Sequence, residues 1–333
     1  MDPLTQGTLG ASLSQASATR EQVAGATLLG FFAGMAADLD VLIRSPSDPL
    51  LFLEYHRQFT HALIFIPIGG LLCALALHAV FGRRRGFSFR QSWLYCTLGY
   101  ATHALLDSCT TYGTMLFWPF SDVRIAWNTI SIIDPLFTLP LLTGVLFGYF
   151  KRQPRYAQWA FVWGLGYMAL GVWQRNEAAA VGWELAAERG HEPLRLEAKP
   201  SFANILVWKV VYETPEELFV DAVRTGISPK VYPGESVLKL DLDRDMPWLD
   251  RSSQQARDIE RFAWFSNGYI ARDPVFPHRV IDVRYSLLPN EVAPLWSIEL
   301  SPEAGPEEHV AYQTHRDPNT NAVGQLWAML SGR

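Results

Sequence analysis

Seven side chains able to hold a proton or a cation sit where apolar segments begin or end: Asp38, Asp40, His56, His61, His103, Asp107 and Asp134. Ionisable groups in or beside lipid are costly and face a cavity or a partner, so each needs an account. Carboxylate oxygen and imidazole nitrogen together make a mixed hard and borderline ligand set. It suits Zn²⁺ first, with Mn²⁺ or Fe²⁺ as alternatives, better than a thiolate site would. Four carboxylates and three imidazoles exceed one tetrahedral shell, so one or two ions fit. A divalent cation lowers the pKa of bound water and makes a nucleophile near neutral pH, and a spare carboxylate can act as general base.

Local spacing adds detail. His103 and Asp107 are four residues apart, so a helix sets both on one face. Asp38 and Asp40 fall on nearly opposite faces of a helix and converge only if that helix ends there; Pro46, Ser47 and Pro49 require an end soon after. His61 is expected in the first turn of a span, with Thr60 as a cap, and His56 in the loop before it. Arg57 has two readings, a structural partner for Asp38 or Asp40 and a holder of a substrate phosphate. His78 reads as a satisfied or snorkelling residue, and His191, His278, His309 and His315 as surface residues without ligand spacing.

The elements that must position these groups are membrane spans. Of 333 residues, 49% are hydrophobic and only 18% charged, yet mean hydropathy is only +0.05, so apolar content is concentrated in one part of the chain. Five spans are expected: 22–43, 62–81, 91–106, 125–150 and 156–174. Arg83, Arg84, Arg85, Arg90, Lys151, Arg152 and Arg155 fall in loops on one side, which should be cytoplasmic, against Arg44, Arg57 and Arg124 opposite. The N-terminus is then expected inside and everything after Arg175 outside. The ionisable cluster falls at the outer span ends, a placement reached independently of the charge count.

No cleavable signal peptide is expected at Met1–Arg20. Cys73, Cys96 and Cys109 show no paired spacing and read as packing residues. No basic patch with interleaved aromatics points to nucleic acid. The expected fold is an α-helical polytopic membrane domain over 1–175, a helical connector over 176–194, and a β-rich α+β extracytoplasmic domain over 195–333. Strands are expected at 202–212, 236–242, 262–270, 280–287 and 295–300 from alternation and β-branched or aromatic content.

A string of motifs carries a family resemblance. Asp2-Pro3-Leu4-Thr5-Gln6-Gly7 is followed by Asp38-Leu39-Asp40, His56-Arg57-Gln58-Phe59-Thr60-His61, His103-Ala104-Leu105-Leu106-Asp107, Thr111-Tyr112-Gly113-Thr114 and Ile133-Asp134-Pro135. Together they resemble the YdjM/YfhP-type family of membrane-bound, metal-dependent hydrolases over about residues 1–150. Only the longer YfhP-like members resemble the rest. The family is described as hydrolytic and is distantly similar to zinc-dependent phospholipase C enzymes. The resemblance implies Asp38, Asp40, His56, His61, His103 and Asp107 as metal ligands, with Asp134 a weaker seventh. Many relatives carry His where this chain has Gln6, a position that the charge rule sets on the inner side, away from the cluster.

These readings converge on an inner-membrane enzyme that cleaves an ester or phosphoester bond of a membrane lipid or lipid-linked substrate at the outer surface. Arg57 would stabilise anionic charge, and Asp134 would be a base or a partner that supports a metal ligand. A metal-ion transporter and a non-enzymatic assembly protein are the rivals. Transport sites lie near the bilayer midplane between repeated halves, and no repeat is visible here.

Overall fold

Pro3 follows Asp2, and that pair starts the first helix, with Asp2 accepting from the Thr5 amide at 3.0 Å. A computed structural model of the chain describes residues 1–315 and 320–333. It falls into two compact units, 1–43 with 55–173 and 202–204, and 44–54 with 174–201 and 205–333.

In the first unit, α1 (Pro3–Ala16) is a largely buried polar helix, with Thr5, Gln6, Thr8, Ser12, Ser14 and Gln15 all fully covered. Buried polar groups must be paired, and the hydroxyls and amide nitrogens here are, although Gln6 Oε1 and Gln15 Oε1 have no hydrogen-bond partner among the described residues. Ser12 donates to Ala157 O at 3.1 Å, Ser14 to Tyr95 O at 2.9 Å, and Gln15 to Thr27 Oγ1 at 2.8 Å. Helix α2 (Val23–Met35) tightens at once into a 3₁₀ helix, Ala36–Leu42. The connector 44–54 carries the start of α3 (Leu51–Tyr55). The chain then runs through α4 (Ile66–Leu77), α5 (Phe89–Cys109), α6 (Pro135–Lys151) and α7 (Pro154–Glu188).

Helices α1, α2 and α5 meet backbone to backbone. A Cβ on Gly30 would stand 2.5 Å from Gly10 O, and one on Gly99 2.4 Å from Gly30 O. Only glycine permits that approach, the small-residue packing used between helices in membranes. Val23, Ala26, Leu29, Ala33, Tyr95 and Cys96 fill the space around it.

Among the described residues, two helical stretches are long and apolar enough to cross a bilayer, Val23–Leu42 and Leu63–Arg85, with mean hydropathies of 1.4 and 2.3. The expected span over 125–150 becomes helical only at Pro135, because Ile125 pairs with Thr114 and Asp134 caps α6. Helix α7 continues unbroken to Glu188, through most of the expected connector.

The second unit is β-rich. Strands β1 (Arg195–Pro200), β2 (Val207–Glu213), β3 (Glu217–Arg224) and β4 (Lys230–Tyr232) pair antiparallel in that order, and β5 (Ser236–Leu238) also pairs with β3. After α8 (Leu242–Asp245) and α9 (Gln254–Phe265), a second antiparallel sheet runs β6 (Ile270–Arg272), β7 (Arg279–Asp282), β8 (Trp296–Glu299) and β9 (Ala311–Thr314). Helix α10 (Thr320–Leu330) ends the chain. Val211, Leu218 and Val220 from one sheet pack with Ala271 and Ile281 from the other and with Tyr269 just before β6.

The strand expected over 262–270 is a misreading. Phe262 and Phe265 end α9, whose buried positions Ala256, Ile259, Phe262 and Phe265 follow helical spacing behind a Ser253 cap.

Candidate metal centre

Three short pieces of the first unit bring acidic and imidazole groups together. In the 3₁₀ helix after α2 there are about three residues per turn, so Asp38 and Asp40 stand about 120° apart instead of the about 160° of an α-helix. His61 ends a second 3₁₀ turn, Phe59–His61. His103 and Asp107 share a face of the last turns of α5.

One ligand atom from each of Asp38, His61, His103 and Asp107 lies within 4.8 Å of the others. His61 Nε2 is 3.5 Å from Asp38 Oδ1 and 3.2 Å from Asp107 Oδ2; His103 Nε2 is 3.3 Å and 3.6 Å from the same two oxygens. Tetrahedral bonds of about 2.0–2.2 Å would set neighbouring ligand atoms about 3.3–3.6 Å apart. All four atoms are buried and lack a hydrogen-bond partner. Among the described residues, only Asp107 Oδ2 has a cation outside the group, Arg57 Nε at 3.0 Å, and a single divalent cation would satisfy the four atoms together. The donor set therefore fits such an ion.

The surrounding contacts aim these atoms. His103 Nδ1 is 2.6 Å from Gly34 O. A carbonyl only accepts, so the ring proton sits on Nδ1 and the Nε2 lone pair faces the cluster. Thr60 Oγ1 donates to Asp40 Oδ2 at 2.7 Å and accepts from His61 Nδ1 at 2.9 Å, which gives His61 the same tautomer. Asp40 also accepts from His56 Nδ1 at 2.7 Å and from the Arg57 amide at 3.0 Å. Arg57 takes φ +65 to offer that amide, a left-handed backbone uncommon in a non-glycine residue. Its Nε is 3.0 Å from Asp107 Oδ2, its Nη1 donates to Thr110 Oγ1 at 3.0 Å, and its guanidinium lies 4.9 Å from the Tyr112 ring centroid. Asp107 Oδ1 accepts from Gln6 Nε2 at 2.8 Å and from the Met1 nitrogen. The side chains of His61, His103 and Asp107 are fully covered, whereas that of Asp38 is 21% exposed and marks the open edge.

The family model described as "YdjM inner membrane protein" matches residues 1–178. The chain is also 32% identical over 155 residues, 44% of its own length, to "Inner membrane protein YbcI" of Escherichia coli (strain K12), covering 83% of that relative. The chain belongs to the YdjM inner membrane protein family. No solved structure matches it.

In this YdjM-family chain the residues expected at the site separate into groups. Asp38, His61, His103 and Asp107 converge, and Asp38 also forms a second convergent group with Asp40 and His56. Of the two readings of Arg57, the structural one has its partner changed: the side chain pairs with Asp107, while the backbone amide donates to Asp40. Asp134 serves elsewhere. It caps α6, accepting from the Leu136 and Phe137 amides at 3.1 and 3.2 Å, and it accepts from Tyr167 Oη at 2.9 Å. Its position directly before Pro135 is an N-cap signal. Thr60 serves Asp40 and His61 instead of capping a helix. Gln6, expected away from the cluster, bonds to it because α1 is buried in the bundle. His78 is satisfied by Ser92 Oγ at 2.9 Å, and all three cysteines are free. Gly34, Thr110 and Tyr112 are supporting residues that no composition or ligand spacing singled out.

Proposed function

We propose that this membrane protein is a metal-dependent hydrolase acting on an ester or phosphoester bond of a lipid-like substrate at the outer membrane–water interface, its C-terminal unit extracytoplasmic. The observation that carries the reading is the convergence of Asp38 Oδ1, His61 Nε2, His103 Nε2 and Asp107 Oδ2, four buried atoms without hydrogen-bond partners whose carboxylate–imidazole separations of 3.2–3.6 Å match those of a tetrahedral shell. A divalent cation held there, Zn²⁺ before Mn²⁺ or Fe²⁺, supplies Lewis-acid activation of water and of a substrate oxygen near neutral pH.

The chain's own groups do the rest. His61 and His103 keep their protons on Nδ1 and present lone pairs. Asp40 orients His61 through Thr60 and holds His56 at the edge of the cluster. Arg57 fixes Asp107 and balances its charge. Asp38, on the open side, is the ligand beside which a substrate would enter, the four-ligand shell expanding to a fifth position as the water and substrate oxygen are taken up. Leu39, Leu42 and Ile64, exposed neighbours of Asp38, Asp40 and His61 in the chain, suit acyl groups. The second group, Asp38 with Asp40 and His56, favours a two-ion form in which Asp38 is shared.

The test is hydrolysis of a chromogenic phosphodiester and a carboxyl ester by the full chain in mixed micelles. Turnover abolished by chelator, restored by Zn²⁺ and absent in His103→Ala supports the reading; chelator-insensitive turnover, or none with metal bound, contradicts it.

A further inference from the structure

Residues 44–54 join the turn that carries Asp38 and Asp40 to the turn that carries His56, Arg57 and His61. This connector belongs to the second unit, while the residues on both sides of it belong to the first. Its carboxylates converge on one side chain. Arg261 of α9 donates from Nη1 and Nη2 to the two carboxylate oxygens of Asp48, at 3.0 and 2.8 Å, and from Nε to Glu54 at 2.5 Å. Its Nη1 also donates to Asp258 Oδ1 at 2.8 Å. The other oxygen of Asp258 accepts from His309 Nδ1 at 2.8 Å and the Val310 amide at 3.2 Å, so Arg261 springs from a fixed base. Phe52 adds an edge contact to Tyr312, with centroids 5.1 Å apart.

A planar guanidinium gripping one carboxylate with two parallel bonds and a second through Nε fixes geometry that a lysine would leave loose. The grip holds both halves of the connector, Asp48 near its middle and Glu54 at its end. Metal ligands must be held to within about 0.5 Å to keep a shell formed. The family model matches residues 1–178, so Arg261 lies outside the residues it covers.

We propose that Arg261 is a positioning residue for the metal centre: by clamping Asp48 and Glu54 it sets the spacing between the Asp38–Asp40 turn and the His56–His61 turn. The proposal rests on the metal-centre reading above. It gives the C-terminal unit a role, control of how well the ligands are assembled.

The test titrates Zn²⁺ into the full chain in detergent and follows amide hydrogen exchange over 44–57, in wild type, Arg261→Ala and Asp48→Ala. Asp48→Ala changes no residue of α9 or of either sheet, which separates a clamp from a folding defect. Each variant is expected to weaken Zn²⁺ binding by about tenfold or more and to speed exchange over 44–57, with the double variant no weaker than the worse single one. Unchanged Zn²⁺ affinity in both variants overturns the proposal, as does unchanged exchange. If the wild type binds no Zn²⁺, the metal reading falls by itself, and the clamp then stands or falls on the exchange data.

Discussion

His103 Nδ1 lies 2.6 Å from the carbonyl oxygen of Gly34, so a backbone group of α2 fixes the proton on a histidine of α5. That contact requires the two helices to run nearly in touch, which Gly30 and Gly99 permit. The aim of one imidazole lone pair thus depends on glycines one turn away along each helix. Close helix packing and the chemistry of the cluster are parts of one arrangement.

Asp40 accepts from His56, the Arg57 amide and Thr60, and through Thr60 it sets His61. Asp40→Asn keeps the shape but leaves a donor facing donors. Metal affinity is expected to fall about 10–100-fold, with the fold retained. Competition with a chromogenic chelator measures it.

Asp134 stands apart from the convergent groups. Asp134→Ala removes the α6 cap and leaves the buried Tyr167 hydroxyl without its carboxylate. A loss of about 2–4 kcal/mol of stability is expected, with bound metal retained at the temperature where the variant remains folded. Thermal melting in detergent beside metal analysis checks both halves.

In the second unit, Lys209 of β2 is buried, donating to Ser286 Oγ at 2.8 Å and Glu291 O at 2.7 Å. Burial, opposed by Asp282, Glu235 and Glu291, brings its pKa down from 10.5 to about 7. Between those two values the unfolded chain holds a proton that the folded chain has released. The contribution of Lys209 to stability therefore rises from pH 7 to pH 10.5 and is lowest below pH 7. Lys209→Met should flatten that part of the stability curve. Hydrogen exchange of β2 and β3 against pH reads the slope.

Much of the centre was legible because its chemistry is local: His103 and Asp107 at helical spacing, His56 and His61 ahead of an apolar run. The convergence of Asp38 with Asp40 was conditional on a helix end, and the 3₁₀ turn supplies it. Helix α1 was not legible as a buried element, because its burial rests on paired hydroxyls and amides instead of hydropathy. That is why Gln6 was placed far from Asp107. Phe262 and Phe265 carry strand-favouring side chains, yet tertiary packing selects the helical period. The grip of Arg261 on Asp48 spans 213 residues of chain and leaves no mark in local spacing.

The central claim is that Asp38, His61, His103 and Asp107 hold a divalent cation. Metal quantification of purified wild type, Asp38→Ala and His103→Ala, each checked for fold by circular dichroism, tests it most directly. The account predicts stoichiometric metal, Zn²⁺ foremost, in the wild type and its loss in both folded variants. Wild type free of metal after zinc loading, or both variants retaining it, would contradict the account.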